Sequence, residues 1–126
     1  VSIVGLGTDI VRVARLARIQ ARHGERFALR ILTEAELAGY RRSPRPEAVL
    51  ARRLAAKEAA AKALGTGIAA GVTFKDLEVS HDALGKPLLR LHGAAARRLQ
   101  ALGGRRCHLS ISDEQDYAVA FVVLES

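Results

Sequence analysis

At 126 residues with 49% hydrophobic content, the chain is long enough for one modest core and too short for two, so a single domain over residues 1–126 is expected. Its 20 Lys and Arg outweigh 13 Asp and Glu, and the net charge of +7 suits an acidic partner: nucleic acid, anionic lipid, an acidic protein or a phosphorylated small molecule. Three Phe, two Tyr and no Trp leave little for base stacking, which speaks against a single-strand or RNA binder. The lone cysteine, Cys107, excludes an intramolecular disulfide, fits a reducing compartment and, beside an apolar run, reads as a structural thiol. With no charged-then-apolar leader and no apolar run of membrane-span length, a soluble cytoplasmic protein is expected.

Ser2 to Leu6 predicts a short strand, loosened at Gly5-x-Gly7, with Thr8 or Asp9 as N-cap of a helix from about Ile10 to Ala21. Asp9 then stands at a strand end, where side chains converge on sites, though a simple cap needs no further role. Along the helix Val13, Leu16 and Ala17 face one way and Arg15, Arg18 and Arg22 the other, with Arg12, Val11 and Ile19 on the flanks. An arginine row is ordinarily a solvated face. Val11 and Ile19 set among the arginines instead suggest a docking surface for an acidic amphipathic helix.

His23-Gly24 breaks this helix, and Glu25 to Arg30 predicts a further helical turn with Phe27 inward. Thr33-Glu34-Ala35-Glu36 is a capping box that opens a short helix to about Arg42. Arg41-Arg42-Ser43-Pro44-Arg45-Pro46 is a basic loop stiffened by proline, suited to holding phosphate or to being an exposed connection.

Arg52 to Gly67, RRLAAKEAAAKALGTG, is a strong helix former closed by Gly65-Thr66-Gly67. Leu50, Leu54, Ala61 and Leu64 form one apolar stripe and alanines cover most of the remainder, so the helix is expected to be buried on several sides. Lys57 falls within the stripe; Glu58 and Lys62 lie on its edge, one turn apart. Taken alone, Glu58 and Lys62 make an ordinary i, i+4 surface ion pair. Charges held near a core usually have partners, often a metal or a phosphate.

Further on, Val72 to Val79 and Lys86 to Leu91 predict a hairpin around His81-Asp82-Ala83-Leu84-Gly85, Gly93 to Leu102 a helix, and His108 to Ser112 with Tyr117 to Leu124 a second hairpin whose last strand is central. The order β, several α, ββ, α, ββ implies an α+β domain with helices on one face of a mainly antiparallel sheet.

Asp9 and Glu58 together could hold a divalent hard cation against a polyphosphate, since Mg²⁺ takes one or two carboxylates plus waters and phosphate oxygens. Lys62 would then neutralise charge on the leaving phosphate. The scattered His23, His81, His92 and His108 offer no zinc spacing, no P-loop is present, and Gly5-x-Gly7 alone is no dinucleotide fingerprint.

The segments Gly5-Leu6-Gly7-Thr8-Asp9-Ile10-Val11, Arg30-Ile31-Leu32-Thr33-Glu34-x-Glu36, Arg53-Leu54-Ala55-Ala56-Lys57-Glu58-Ala59-x-x-Lys62-Ala63-Leu64-Gly65-Thr66-Gly67, Gly85-Lys86-Pro87 and His108-Leu109-Ser110-Ile111-Ser112 through Tyr117-Ala118 cover nearly the whole chain. In these the sequence resembles the holo-acyl-carrier-protein synthases, the small single-domain type of 4′-phosphopantetheinyl transferase. The resemblance implies transfer of the phosphopantetheine arm of coenzyme A to a serine of apo-acyl carrier protein, with release of adenosine 3′,5′-bisphosphate, in fatty acid biosynthesis. It also implies Mg²⁺ on Asp9 and Glu58, Lys62 on the phosphates, and Glu58 as candidate base, directly or through a metal-bound water. Arg45, Arg53 and the Gly65-Thr66-Gly67 turn would face the nucleotide, with Ser110 a further contact. Arg15, Arg18, Ile19 and Arg22 would meet the acidic carrier. The family likeness further implies homotrimers with active sites at subunit interfaces and no role for nucleic acid or membrane. Asp113 stands where many relatives have histidine. Two rival readings are a small basic nucleic-acid-binding module and a coenzyme A binder without catalysis.

Overall fold

The computed structural model describes residues 1–126. Its strands are β1 (Ile3–Arg12), β2 (Leu77–His81), β3 (Pro87–Leu91), β4 (Arg106–Asp113) and β5 (Tyr117–Glu125). Its helices are α1 (Val13–His23), α2 (Arg26–Ile31), α3 (Glu34–Arg42), α4 (Pro46–Leu64) and α5 (Gly93–Ala101), with a 3₁₀ turn at Phe74–Asp76. The expected α+β class holds, and helix α4 packs across one face of an antiparallel sheet in the order β1-β5-β4. As expected from its apolar run, β5 is central.

Three sequence expectations are corrected. First, β1 does not stop at Leu6 but runs on through Thr8 and Asp9 to Arg12, paired with β5 from Ile3↔Glu125 to Arg12↔Tyr117. Neither Thr8 nor Asp9 therefore caps a helix. Helix α1 starts at Val13 after Arg12, without a side-chain cap; its first N–H goes to the carbonyl of Asp116 (2.9 Å) in the turn between β4 and β5. Second, there are two sheets rather than one, because β2 and β3 pair only with each other. Third, Val72 to Val79 is not one strand: a Thr73–Asp76 capping box winds Phe74–Asp76 into the 3₁₀ turn, and β2 begins at Leu77.

Helix α4 is the element around which the core forms. Pro46 starts it at a position where a missing N–H does no harm, and Gly65 ends it in the left-handed conformation, φ 78°. Thirteen of its 19 residues are buried, and Lys57 is the one charged side chain among them. The Lys57 ammonium is fully enclosed. Its three protons go to Glu36 Oε1 (2.8 Å), Phe74 O (2.9 Å) and Leu77 O (2.8 Å). Glu36 in turn closes the predicted capping box with Thr33 N (2.8 Å) and accepts from Val79 N (2.9 Å). A buried pair so completely bonded is tolerable, whereas either partner alone would be a bare charge in the core. The pair fixes how α4 is rotated against α3 and β2.

On the other side of α4, the inward face of β1 reads Gly5, Gly7, Asp9, Val11. A Cβ on Gly5 would fall on the carbonyl oxygen of Ala63, and one on Gly7 on the carbonyl oxygen of Ala59 and within 2.7 Å of Ala63 N. The two glycines thus let strand and helix backbones touch directly. Gly7→Ala is expected to cost about 1–3 kcal/mol in urea denaturation, because backbone cannot yield as a side-chain tip can. Gly39→Ala, in open space on α3, is expected to be neutral or stabilising by up to about 1 kcal/mol in the same assay.

Candidate active site

One step along β1 from Gly7, on the same face, stands Asp9, and one residue before Ala59 and Ala63 on α4 stand Glu58 and Lys62. The close approach of the two backbones therefore brings these three side chains together. Lys62 Nζ donates to Asp9 Oδ1 (2.9 Å) and to Thr8 O (3.1 Å). The expected i, i+4 pair between Glu58 and Lys62 does not form as such, since the lysine is taken by the strand. Glu58 keeps a pKa above the usual carboxylate range, first because it is partly desolvated and next because Asp9 carries like charge nearby; Lys62 and Arg15 oppose the rise.

Two carboxylates that repel one another, with a lysine on one of them, form a place that a further cation would stabilise. No group of three or more His, Cys, Asp or Glu side chains suited to a metal exists in the structure. The donor set is therefore wrong for an all-protein zinc or calcium cage. It does fit Mg²⁺, which keeps most of its waters or takes phosphate oxygens.

Gly65-Thr66-Gly67 lies at the C-terminal end of α4. Gly65 N donates to Lys62 O (3.0 Å), Gly67 N to Ala61 O (3.1 Å), and Thr66 Oγ1 to Gly67 O (2.8 Å). The carbonyl of Leu64 is taken by Arg98 Nε of α5 at 2.9 Å, a residue that the sequence alone presents only as part of an alanine-rich helix.

Arg45, Arg53 and Ser110 do not join this cluster within one chain. Arg53 and Lys62 are nine residues apart on α4, so at about 100° per residue they project from opposite sides of the helix. Arg53 lies instead among Arg42, Glu78, His81 and Arg90, largely buried, with Nη1 shielded and unpartnered. Burial and then the charge of Arg52 press its pKa below the guanidinium norm, with Glu36 offsetting part. Arg45 precedes Lys62 by 17 residues, about 25 Å along the axis, and pairs with Glu47 at 3.6 Å. Ser110 is on the outward face of the sheet, opposite Phe121, whereas Asp9 faces α4. Asp113 pairs with Arg52 at 3.3 Å.

The arginine face of α1 is as expected: Arg15, Arg18 and Arg22 are exposed, and Ile19 is half-buried. Ile19 continues into a shallow basin with His23, Arg26, Phe27 and Arg30 of α1 and α2. Val11 belongs to β1 and is buried, and Ala17 is exposed, each against the helical-wheel expectation.

Against this geometry the comparisons with known proteins are decisive. The model of the 4′-phosphopantetheinyl transferase superfamily matches residues 5–122. The chain belongs to that superfamily. It is similar to a holo-[acyl-carrier-protein] synthase from Alkalilimnicola ehrlichii, 62% identical over 125 residues, with 98% of each chain covered. The crystal structure of holo-[acyl-carrier-protein] synthase from Neisseria meningitidis matches at TM-score 0.91 and 46% identity, over 99% of this chain and 100% of that one. A holo-(acyl-carrier-protein) synthase from Bacillus anthracis, in complex with coenzyme A (3′,5′-ADP), matches at TM-score 0.81 and 40% identity, over 98% and 97%. In this member of the transferase superfamily, the β1–α4 contact gathers two carboxylates and a lysine on the helix-covered side of the sheet.

The Glu58 carboxyl reports on the cluster directly. In an NMR titration, Asp9→Asn is expected to move its pKa down and Lys62→Met to move it up, with added Mg²⁺ lowering it in the wild type. Shifts of the same sign in the two variants would mean that Glu58 does not sit between these charges.

Proposed function

We propose that this protein is a holo-acyl-carrier-protein synthase that transfers the 4′-phosphopantetheine group of coenzyme A to a serine of apo-acyl carrier protein, giving holo-acyl carrier protein and adenosine 3′,5′-bisphosphate. The observation that carries this is the meeting of Asp9, Glu58 and Lys62 at the β1–α4 contact, in a chain similar over nearly its whole length to proteins of that name. The relatives lend no support to the nucleic-acid-binding alternative.

Asp9 and Glu58 would hold Mg²⁺, whose chemistry when bound is to neutralise the diphosphate and polarise its phosphorus. Glu58, with its raised pKa, takes the proton of the carrier serine as the serine oxygen attacks the β-phosphorus of coenzyme A. The bond from that phosphorus to the bridging oxygen breaks in line, and adenosine 3′,5′-bisphosphate leaves with the bond's electron pair. Lys62 neutralises the charge that develops on the leaving phosphate, and the Gly65-Thr66-Gly67 turn lets it approach the backbone. The arginines of α1 dock the acidic carrier, with Ile19 and Phe27 as the apolar floor.

The remaining candidates enter through association of copies. The outward sheet face carries Leu6 (58% exposed), Ile10 (62%) and Phe121 (43%) in one apolar patch, an unusual surface to leave in water. We read it as the interface of a homotrimer, which would bring Arg45, Arg53 and Ser110 of one copy toward the acid cluster of the next. We place the enzyme in the cytoplasm and its product in fatty acid biosynthesis.

Incubated with coenzyme A, Mg²⁺ and an apo-carrier protein, the protein is expected to add one phosphopantetheine arm to the carrier by mass spectrometry. EDTA should stop transfer and Mg²⁺ restore it, and Glu58→Gln should reduce kcat by about 10²–10⁴-fold with the fold intact. No mass gain on any of several carriers would refute the transferase reading. Separately, Ile10→Asp is expected to yield monomers in sedimentation equilibrium and to lose transfer along with assembly.

A further inference from the structure

The C-terminal end of an α-helix carries unsatisfied carbonyls and the negative pole of the helix dipole, which is a poor place to bring a phosphate. Yet the proposed reaction brings a diphosphate to Lys62 and the Gly65-Thr66-Gly67 turn, at that end of α4. The backbone deals with two of the carbonyls itself, Gly67 N taking Ala61 O and Gly65 N taking Lys62 O. Of the other two in the last turn, Ala63 O lies against Gly5 of β1, and Leu64 O is taken by the guanidinium of Arg98, reaching across from α5 at 2.9 Å.

Arg98 has two further features. It forms no ion pair with any carboxylate of the chain, unlike Arg41, Arg45, Arg52 and Arg106, so its charge is not already spent on a neighbour. Its Nη2 lies 3.6 Å from where a Cβ on Gly65 would be, so the guanidinium rests against the first residue of the turn without being crowded by it. A guanidinium offers five N–H donors in a fixed fork, and the one bond to Leu64 O leaves four.

We propose that Arg98 is a positioning residue for the phosphates of coenzyme A: held on Leu64 O and against Gly65, it cancels the negative pole of α4 and fixes the turn that the anion must approach. It acts through the turn, while Lys62 acts on the phosphate. This rests on the reading that the diphosphate of coenzyme A lies at the turn.

The test uses full-length wild type, Arg98→Met, Arg98→Gln and Arg98→Lys. Binding of coenzyme A and of adenosine 3′,5′-bisphosphate is measured by calorimetry at two salt concentrations, together with transfer kinetics. Arg98→Met and Arg98→Gln are expected to raise Kd and the KM for coenzyme A about tenfold, with kcat within about twofold and a weaker salt dependence of binding; Arg98→Lys should recover most of the affinity. Gln can still donate to Leu64 O, so a loss in Arg98→Gln reads the charge and not the cap. Should Arg98→Met fail to fold, Arg98→Gln decides. Lower Tm with unchanged Kd, KM and salt dependence in Arg98→Gln would overturn the proposal and leave a structural cap. A wild type that transfers the arm while Arg98→Gln behaves identically refutes only the role of Arg98, whereas a wild type that neither binds coenzyme A nor transfers the arm refutes both it and the transferase reading.

Discussion

The rest of the molecule depends on the direct contact of two backbones, β1 at Gly5 and Gly7 against α4 at Ala59 and Ala63. A strand presents every second residue to one side and a helix presents residues four apart on one stripe, so two glycines at spacing two meet two alanines at spacing four. No side chain intervenes. Asp9, next on the strand, and Glu58 with Lys62, beside the alanines, therefore spring from backbone positions that are fixed relative to one another. Like charges held near each other need that rigidity, since the carboxylates gain by moving apart.

The far side of α4 supplies the opposing anchor. Lys57 and Glu36, fully buried and fully bonded, tie the helix to α3, the 3₁₀ turn and β2. Glycine contact on one side and an ion pair on the other leave α4 no freedom to roll, and Lys57 is the immediate neighbour of Glu58 in sequence. The short chain thus builds an alanine-rich helix that is buried over most of its circumference, with Lys57 the one charge it encloses completely.

Much of this architecture is legible in the sequence. The alanine-rich run with its terminal glycines announces α4 and its end, Thr33 with Glu36 announces the start of α3, and the apolar run from Tyr117 to Leu124 announces the central strand. The outcome differs where two signals compete for one residue. Thr8 and Asp9 are both good caps, and Gly7 and Asp9 are poor strand residues, so local propensity ends β1 early, whereas the ladder with β5 carries all three along. Glu36 already has a role in the capping box, so nothing in the sequence asks for Lys57 as its partner. Gly5-x-Gly7 is no phosphate-binding fingerprint, yet its spacing of two on a strand is the signature of close packing against a helix. The separation of Arg53 from Lys62 is available from helical periodicity alone. The pairing of β2 and β3 apart from the larger sheet is not, because a strand's sequence does not say which edge it will meet.

Helix α1, the arginine-bearing one, begins without a cap of its own and borrows the carbonyl of Asp116 from the connection between β4 and β5. Eleven residues are too few to hold a helix in water unaided. Cut out as a synthetic peptide, this segment would keep its charge and lose its shape, so the docking proposed for it would belong to the folded sheet as much as to the arginines that the sheet displays.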